Sequence, residues 1–308
     1  MFKYYLFQLL RLVVRLIPPR AAYVIGAVLA EGFYLFSRRS KPNFNANIRH
    51  VLEYSGQETS TRKSRRKIRR IGRKNFRNFA YYLIDFFRFS HFDQKQMDRF
   101  MEVEGIRHIN RILSRGKGAL GVTAHLGNWE LGGIVFSLLG YPVNAIALSH
   151  QNTKLNRLFV HQRALAGMKV IPVGIAALKS LRALKQNEVV VILGDRDVTE
   201  RGVKVDFFGT PTLLPRGPAV LAARSGAGIF FGYVIRESTH KYQTVFRPEI
   251  ERDLSASLEE QEERILKGLV KEMEDCIINH LDQWYMYYRL WPEERQGNDE
   301  TRMPKVRL

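Results

Sequence analysis

A single cysteine, Cys276, leaves nothing from which to build an internal disulfide, and this suits a reducing compartment. Acidic residues are outnumbered by basic ones, 30 against 49, for a formal charge of +19. So lopsided a balance points to a polyanionic partner: nucleic acid, an anionic membrane or a phosphorylated substrate. No linker rich in Pro, Gly or Ser interrupts the chain, and no internal repeat is visible, so its 308 residues read as one continuous domain. With 45% apolar and 11% aromatic residues, disordered and collagen-like chains are excluded. Nucleotide fingerprints are missing too. GKGALG lacks the Lys-Ser/Thr ending of a phosphate loop, and GAGIFFG at 226–232 lies ahead of a strand rather than after one. An H-E-x-x-H pair is absent, and one cysteine cannot supply the common sulfur ligand sets of zinc, though a zinc site without sulfur stays open.

Long clean apolar runs are also lacking. Residues 1–17 are apolar but carry Lys3, Arg11 and Arg15; after Pro18 and Pro19, residues 21–36 are apolar but carry Glu31. Neither reaches the roughly 20 uninterrupted apolar residues of a spanning helix. No small-residue cleavage site follows a short apolar core, so no removable signal peptide is expected. Cationic apolar helices of this kind lie in a lipid interface or pack on the protein's own core. At 62–77 ten of sixteen residues are Lys or Arg, and an aromatic-rich stretch, NFAYYLIDFFRF, follows directly. Such a run is a solvated helix face, a nucleic-acid patch, or a dock for anionic lipids and acidic carriers. Beside an apolar N-terminus, lipid is favoured.

Residues 1–100 read as a helical, membrane-associating portion, with a period near 3.6 in NIRHVLEY and over 61–88. From 101 to 308 the texture changes to alternating strands and helices. Strands are predicted at 118–125, 142–148, 169–173 and 188–195, with helices from about 128 to 139, 153 to 167 and 176 to 186. GIFFGYVIR and KYQTVFRP read as later strands, antiparallel to each other, and a long helix spans about 257 to 281. The fold class is α/β, a largely parallel central sheet flanked by helices.

Chemistry concentrates in TAHLGNWELGG at 123–133, where a strand ends and a helix begins, the edge at which parallel sheets bind ligands. His125 falls on the strand-end loop, Gly127 permits a tight turn, Asn128 caps the helix, and Glu130 lies in its first turn. Glu130 is then expected to fold back on the imidazole, fixing its tautomer and raising its basicity. That is a general base with an orienting acid and no nucleophile of its own nearby, so it would deprotonate a substrate hydroxyl directly. The other reading of a lone histidine is structural. Asp195 and Asp197, after the 188–195 strand, read as paired acid/base carboxylates or a magnesium site. Trp129 and Trp284 read as packing.

HLGNWE matches the H-x-x-x-x-D/E motif of glycerolipid acyltransferases. Together with NANIRHVLEY, MEVEGIRHINRILSRGKGALGVTAHLGNWELGG, GDRDVTERGVKVDFFGTPTLLPRGPAVLAARSGA and DQWYMYYRLWP, it resembles the bacterial lipid A biosynthesis (late) acyltransferase family over nearly the whole chain. The blocks occur in the family's order. RDVTERGVKVDFFG is similar to the branch that acylates phosphatidylinositol mannosides. The resemblance implies that His125 is the base and Glu130 its partner, and that Arg163 serves the acceptor or the transition state. It also implies that Asp195, Arg196 and Asp197 lie close to the active site. Gly209, Arg216, Gly217 and Pro218 match its FFG…GPA segment; read without the family they are a turn glycine, a surface arginine and a helix start.

What the resemblance implies, then, is transfer of a fatty acyl group from acyl carrier protein or coenzyme A to a hydroxyl of a lipid A precursor or related glycolipid. The work would be done at the cytoplasmic face of the inner membrane, with no metal, no cofactor and no nucleic acid. A phosphatidylinositol mannoside or a lysophospholipid is the alternative acceptor. A basic nucleic-acid-binding protein is the reading from another class, and it leaves the Trp129–Glu130 site without a purpose.

Overall fold

The computed structural model describes residues 2–89, 93–199, 201–239 and 241–291, with side chains from Tyr4 onward. Glu200 in the RDVTERG block, Pro292 at the close of the aromatic motif and the stretch 293–308 of the predicted core lie outside the described residues.

Five helices come first: α1 (Phe2–Leu16), α2 (Pro19–Phe36), α3 (Ser40–Tyr54), α4 (Arg62–Arg88) and α5 (Gln94–Phe100). Local chemistry sets their ends. Pro18 and Pro19 stop α1 and open α2, where a missing N–H costs nothing. Thr61 caps α4 through Ser64 N, and Asp93 and Gln96 form a reciprocal capping box on α5.

Strands and helices then alternate: β1 (Met101–Glu104), α6 (Ile106–Leu113), β2 (Ala119–Thr123), α7 (Trp129–Leu138), β3 (Val143–Ala147), α8 (Thr153–Leu165), β4 (Met168–Pro172), α9 (Ala176–Lys185) and β5 (Val189–Leu193). A hairpin of β6 (Val203–Phe207) and β7 (Thr210–Leu214) follows. The described chain closes with α10 (Gly217–Ser225), β8 (Gly228–Ser238), β9 (Lys241–Glu249), α11 (Leu258–Asn279) and an extended aromatic segment. The predicted strands and helices of the core correspond to β2, β3, β4, β5, α7, α8 and α9, and the long helix is α11.

Seven strands form one sheet in the order β1-β9-β8-β2-β5-β3-β4. From β8 to β4 every pairing is parallel; β9 runs antiparallel to β8, as expected, and β1 lies parallel to β9 at the edge. Alternate residues serve opposite faces. Ala119, Val143, Val189, Phe230 and Val234 meet α6 and α7, whereas Leu120, Val122, Val190, Ile229 and Phe231 meet α9, α10 and α11. A strand such as VVVIL, apolar on both faces, belongs in the middle of such a sandwich.

Helix α6, strand β1 and the β6–β7 hairpin were not foreseen. MEVE is too short and too charged to announce β1. The β6–β7 hairpin turns at Phe208 and Gly209, both left-handed at φ 53° and 70°, so Gly209 is a turn glycine. Pro218 sits in the first turn of α10, also as read.

Helices α3 and α4 pack on the core rather than apart from it, with Phe44, Ile48 and Phe76 joining Phe208, Trp284 and Met286 in one apolar cluster. The segment after α11 is extended and buried, so its backbone groups need partners. Asparagines supply them. Asn47 Nδ2 donates to Met286 O (3.2 Å) and Tyr288 O (2.7 Å), while its Oδ1 accepts from Leu290 N (3.0 Å). Asn75 Nδ2 donates to Trp284 O (2.9 Å), Asn78 Nδ2 to Asp282 O (3.0 Å) and Asn43 Nδ2 to Tyr287 O (3.2 Å). A second lock joins α2 and α4 to β8 and β9: the buried Asp85 carboxylate accepts from Tyr23, Arg236 and Tyr242.

No helix among the described residues is long and apolar enough to cross a membrane. On α1 and α2 a wide apolar surface is nonetheless open to solvent, including Leu9, Leu12, Val28 and Phe33, and reaching 74% exposure at Leu16 and 83% at Phe36. The basic residues of α4 from Arg62 to Lys74 are exposed beside it.

Asn47→Ala should destabilise the protein in chemical denaturation by about 1–3 kcal/mol for each buried backbone group left unpaired. A midpoint equal to that of the parent protein would show that Asn47 does not hold the C-terminal segment.

Candidate active site

Strands β2 and β5 are neighbours, paired from Ala119↔Val189 to Thr123↔Leu193, so the residues after them emerge together at one edge. After β2 the chain turns through His125, Leu126, Gly127 and Asn128 into α7. Gly127 has φ +60°, and a Cβ there would lie 1.8 Å from Val234 O, so only glycine fits. Asn128 caps α7, its Oδ1 accepting from Leu131 N at 3.3 Å, and its own N–H donates to Val234 O at 2.8 Å. Across the loop, Gly127 N donates to Gln283 O (2.9 Å) and Tyr285 N to His125 O (2.7 Å). The loop is therefore strapped between β8 and the C-terminal segment.

The carboxylate on the imidazole is Asp195, not Glu130. His125 Nδ1 lies 2.7 Å from Asp195 Oδ1, and Asp195 Oδ2 accepts from His125 N (2.9 Å) and Trp284 Nε1 (3.1 Å). Asp195 has no exposed surface. Burial alone would push its pKa up, but the His125 ring, the N–H donors of His125 and the charge of Arg196 outweigh burial and hold it below the usual value. With a carboxylate facing Nδ1, the ring proton belongs on that nitrogen, leaving the Nε2 lone pair available.

Glu130 goes instead to Arg163 on α8. Arg163 Nε and Nη2 reach its oxygens at 2.6 to 3.2 Å in a forked pair, with both side chains largely buried. Burial pulls the guanidinium's pKa down, but Glu130 outweighs it and the pKa is raised, so Arg163 stays charged. The expected contact of Glu130 with His125 fails for this reason: a buried arginine one helix away claims both carboxylate oxygens.

His125, Trp129, Glu130, Arg163, Arg196 and Arg216 all line one cavity of about 820 Å³. One part of its wall is apolar, with Phe136, Ala145, Met168, Val191, Phe230 and Gly232 between α7 and the sheet. Phe7 of α1 and Phe159 of α8 form another part of the wall, their rings 5.6 Å apart. A second histidine, His150, also faces the cavity. Burial first, and then Arg163, lower its pKa, and its ring packs on Phe159 rather than on a carboxylate.

The remaining predicted site residues fall as follows. Asp197 borders the cavity, but its carboxylate accepts from Thr199 N, Thr199 Oγ1 and Gly202 N at 2.7 to 2.9 Å, which shapes its own loop. Arg196 lies over the Tyr288 ring at 5.8 Å. Arg216 caps the approach to α10 and pairs with Glu262 at 2.6 Å, its side chain half exposed, so the surface-arginine reading describes its contacts. Asp195 and Asp197 are not a facing acid/base pair, since each is committed to different donors. Among the described residues, no group of three or more His, Cys, Asp or Glu is placed to hold a metal ion. Sequence reading missed Trp284 as a polar contact of the site; its position in the closing aromatic motif was the available signal.

The family model described as bacterial lipid A biosynthesis acyltransferase matches residues 1–293. A phosphatidylinositol mannoside acyltransferase of Mycolicibacterium smegmatis is 29% identical over 199 residues, 61% of this chain and 66% of that protein. Its namesake from Mycobacterium tuberculosis is 32% identical over 139 residues, covering 44% and 43%. The lipid A biosynthesis palmitoleoyltransferase of Escherichia coli K12 is 25% identical over 182 residues, 58% of each. The chain thus aligns with between 43% and 66% of the length of these relatives. With the family model matching from the first helix to the aromatic segment, the chain belongs to the bacterial lipid A biosynthesis acyltransferase family.

Proposed function

We propose that this chain transfers a fatty acyl group from a thioester, on acyl carrier protein or coenzyme A, to a hydroxyl of a membrane glycolipid. The observation that carries this reading is a carboxylate-backed imidazole facing a large, mainly apolar cavity. A cavity of this kind suits an acyl chain, and a base in its wall suits the chemistry at the end of that chain.

His125 Nε2 takes the hydroxyl proton as the hydroxyl oxygen bonds to the thioester carbonyl carbon. The tetrahedral intermediate then collapses, the C–S bond breaks, and the imidazolium returns the proton to the leaving sulfur. Asp195 stabilises the imidazolium formed between these steps. Arg163, fixed by Glu130 and facing the cavity, offers a positive charge for the oxyanion. Glu130 therefore acts through Arg163, in place of the direct help to His125 suggested by the motif. His150 has no such carboxylate, which favours His125 as the base.

The acceptor reading follows the relatives: a lipid A precursor or a phosphatidylinositol mannoside, both phosphorylated glycolipids. A phosphorylated headgroup and an anionic bilayer both answer a charge of +19. The apolar faces of α1 and α2, flanked by Arg15, Arg20 and the basic face of α4, fit the surface of an anionic bilayer. That surface would be the cytoplasmic leaflet of the inner membrane.

Purified protein given a long-chain acyl thioester and a glycolipid acceptor should form acylated lipid, read by mass spectrometry. His125→Ala should lower the rate by about a hundred- to ten-thousandfold, the usual worth of a general base. A folded His125→Ala protein with undiminished rate would remove the mechanism. In flotation assays the protein should bind vesicles containing anionic phospholipid, and high salt should weaken the binding, since screening at about 0.15 M already acts within roughly 8 Å. Replacing Leu9, Leu12, Val28 and Phe33 together by glutamine should abolish flotation. Equal flotation of the substituted protein would contradict docking through α1 and α2.

A further inference from the structure

We propose that Trp284 is a positioning residue for acyl transfer, locking the Asp195 carboxylate so that one defined oxygen meets the His125 imidazole. The proposal rests on the reading of His125 as the base and adds to it a residue that never touches substrate.

A carboxylate has two equivalent oxygens and a broad, roughly two-fold torsion about its last bond. Held by one imidazole alone, Asp195 could rock and exchange oxygens. Here Oδ1 meets His125 Nδ1 at 2.7 Å, and Oδ2 is occupied by two further donors, His125 N at 2.9 Å and Trp284 Nε1 at 3.1 Å. The backbone donor belongs to the residue being oriented, so it moves with the loop. Trp284 is the donor that comes from elsewhere in the chain.

Indole chemistry makes the lock one-directional. A tryptophan N–H only donates, so Oδ2 must remain an acceptor. A proton on Asp195 is thereby disfavoured at Oδ2, and His125 keeps its proton on Nδ1. A tyrosine or serine at this place could accept as well as donate and would not impose that sense.

Trp284 is itself immobilised. It has no exposed surface, its carbonyl accepts from Asn75 Nδ2 at 2.9 Å, and its backbone pairs with Leu126 within the His125 loop. Its ring lies against Phe208 and Trp291, each with centroids 6.3 Å away. A buried tryptophan needs some acceptor for its N–H; this one has the carboxylate that faces the proposed base.

The test separates positioning from packing. In place of Trp284, 3-benzothienyl-alanine keeps the bicyclic shape and replaces N–H by sulfur; Trp284→Phe serves as a second variant. Both should lower kcat by about ten- to a hundredfold, the worth of a hydrogen bond to a charged group, with KM for donor and acceptor little changed. The rising limb of the pH–rate profile should also move to higher pH, because a carboxylate with one donor fewer attracts the imidazolium more strongly. Arg196, Asp197 and Tyr288, the other titratable or charged groups acting on Asp195 or lying beside it, are unchanged in these variants. The proposal is overturned if the benzothienyl protein keeps the parent kcat and pH profile, or if its loss lies only in KM or thermal stability. If His125→Ala is also fully active, the reading of His125 as base has failed. If His125→Ala is inactive and the benzothienyl protein is not, positioning alone has failed.

Discussion

A buried carboxylate that must find donors organises this molecule. Asp195 lies at the end of a central strand with no exposed surface, where an unpaired charge would be costly. It is satisfied by the His125 ring, the His125 backbone N–H and the Trp284 indole. These donors bring together β5, the loop after β2 and the segment after α11. The same three contacts that solve a desolvation problem also aim an imidazole at the cavity. Around them the strap closes, with Gly127 against Val234 and Gln283, and with Tyr285 against the carbonyl of His125.

Two further buried carboxylates follow the same rule in a chain dominated by cations. Glu130 is forked by Arg163 at the cavity wall, and Asp85 gathers Arg236 with Tyr23 and Tyr242 where the N-terminal helices meet the sheet. The rest of the positive charge is left largely outside, much of it on α4 beside the exposed apolar faces of α1 and α2. Phe7 of α1 also forms part of the cavity wall, so a helix proposed to meet lipid also lines the space proposed to hold the acyl chain.

The alternation of helices and apolar strands was legible because parallel sheets bury both strand faces and loops at their ends carry Gly, Pro and Asn. VVVIL and ALGVT could be little else. The short β1 and the hairpin at Phe208–Gly209 were not legible: the one is four residues of mixed polarity, the other carries Pro211 inside a strand. At the site, the loop of His125, the cap at Asn128 and the placing of Asp195 at the same sheet edge could all be read. The pairing could not. Glu130 is five residues from His125 and Asp195 seventy, yet the β2–β5 register brings the distant residue to the ring while Arg163 takes the near one. Spacing along the chain says nothing of a competitor that arrives from another helix. The family resemblance marked both NANIRHVLEY and DQWYMYYRLWP, and the structure gives a reason they occur together: asparagines of the helical portion, Asn47 among them, satisfy the backbone of the aromatic segment.

On this reading Asp195, through His125, supports removal of a proton from the acceptor hydroxyl. Single-turnover transfer by purified Asp195→Asn protein, with acyl thioester and glycolipid in excess of their KM, tests it most directly. An amide keeps the shape but can present its nitrogen to the ring and set the wrong tautomer, so the rate should fall by about a hundredfold or more while the fold is retained. A folded Asp195→Asn protein that transfers the acyl group at the parent rate would contradict it.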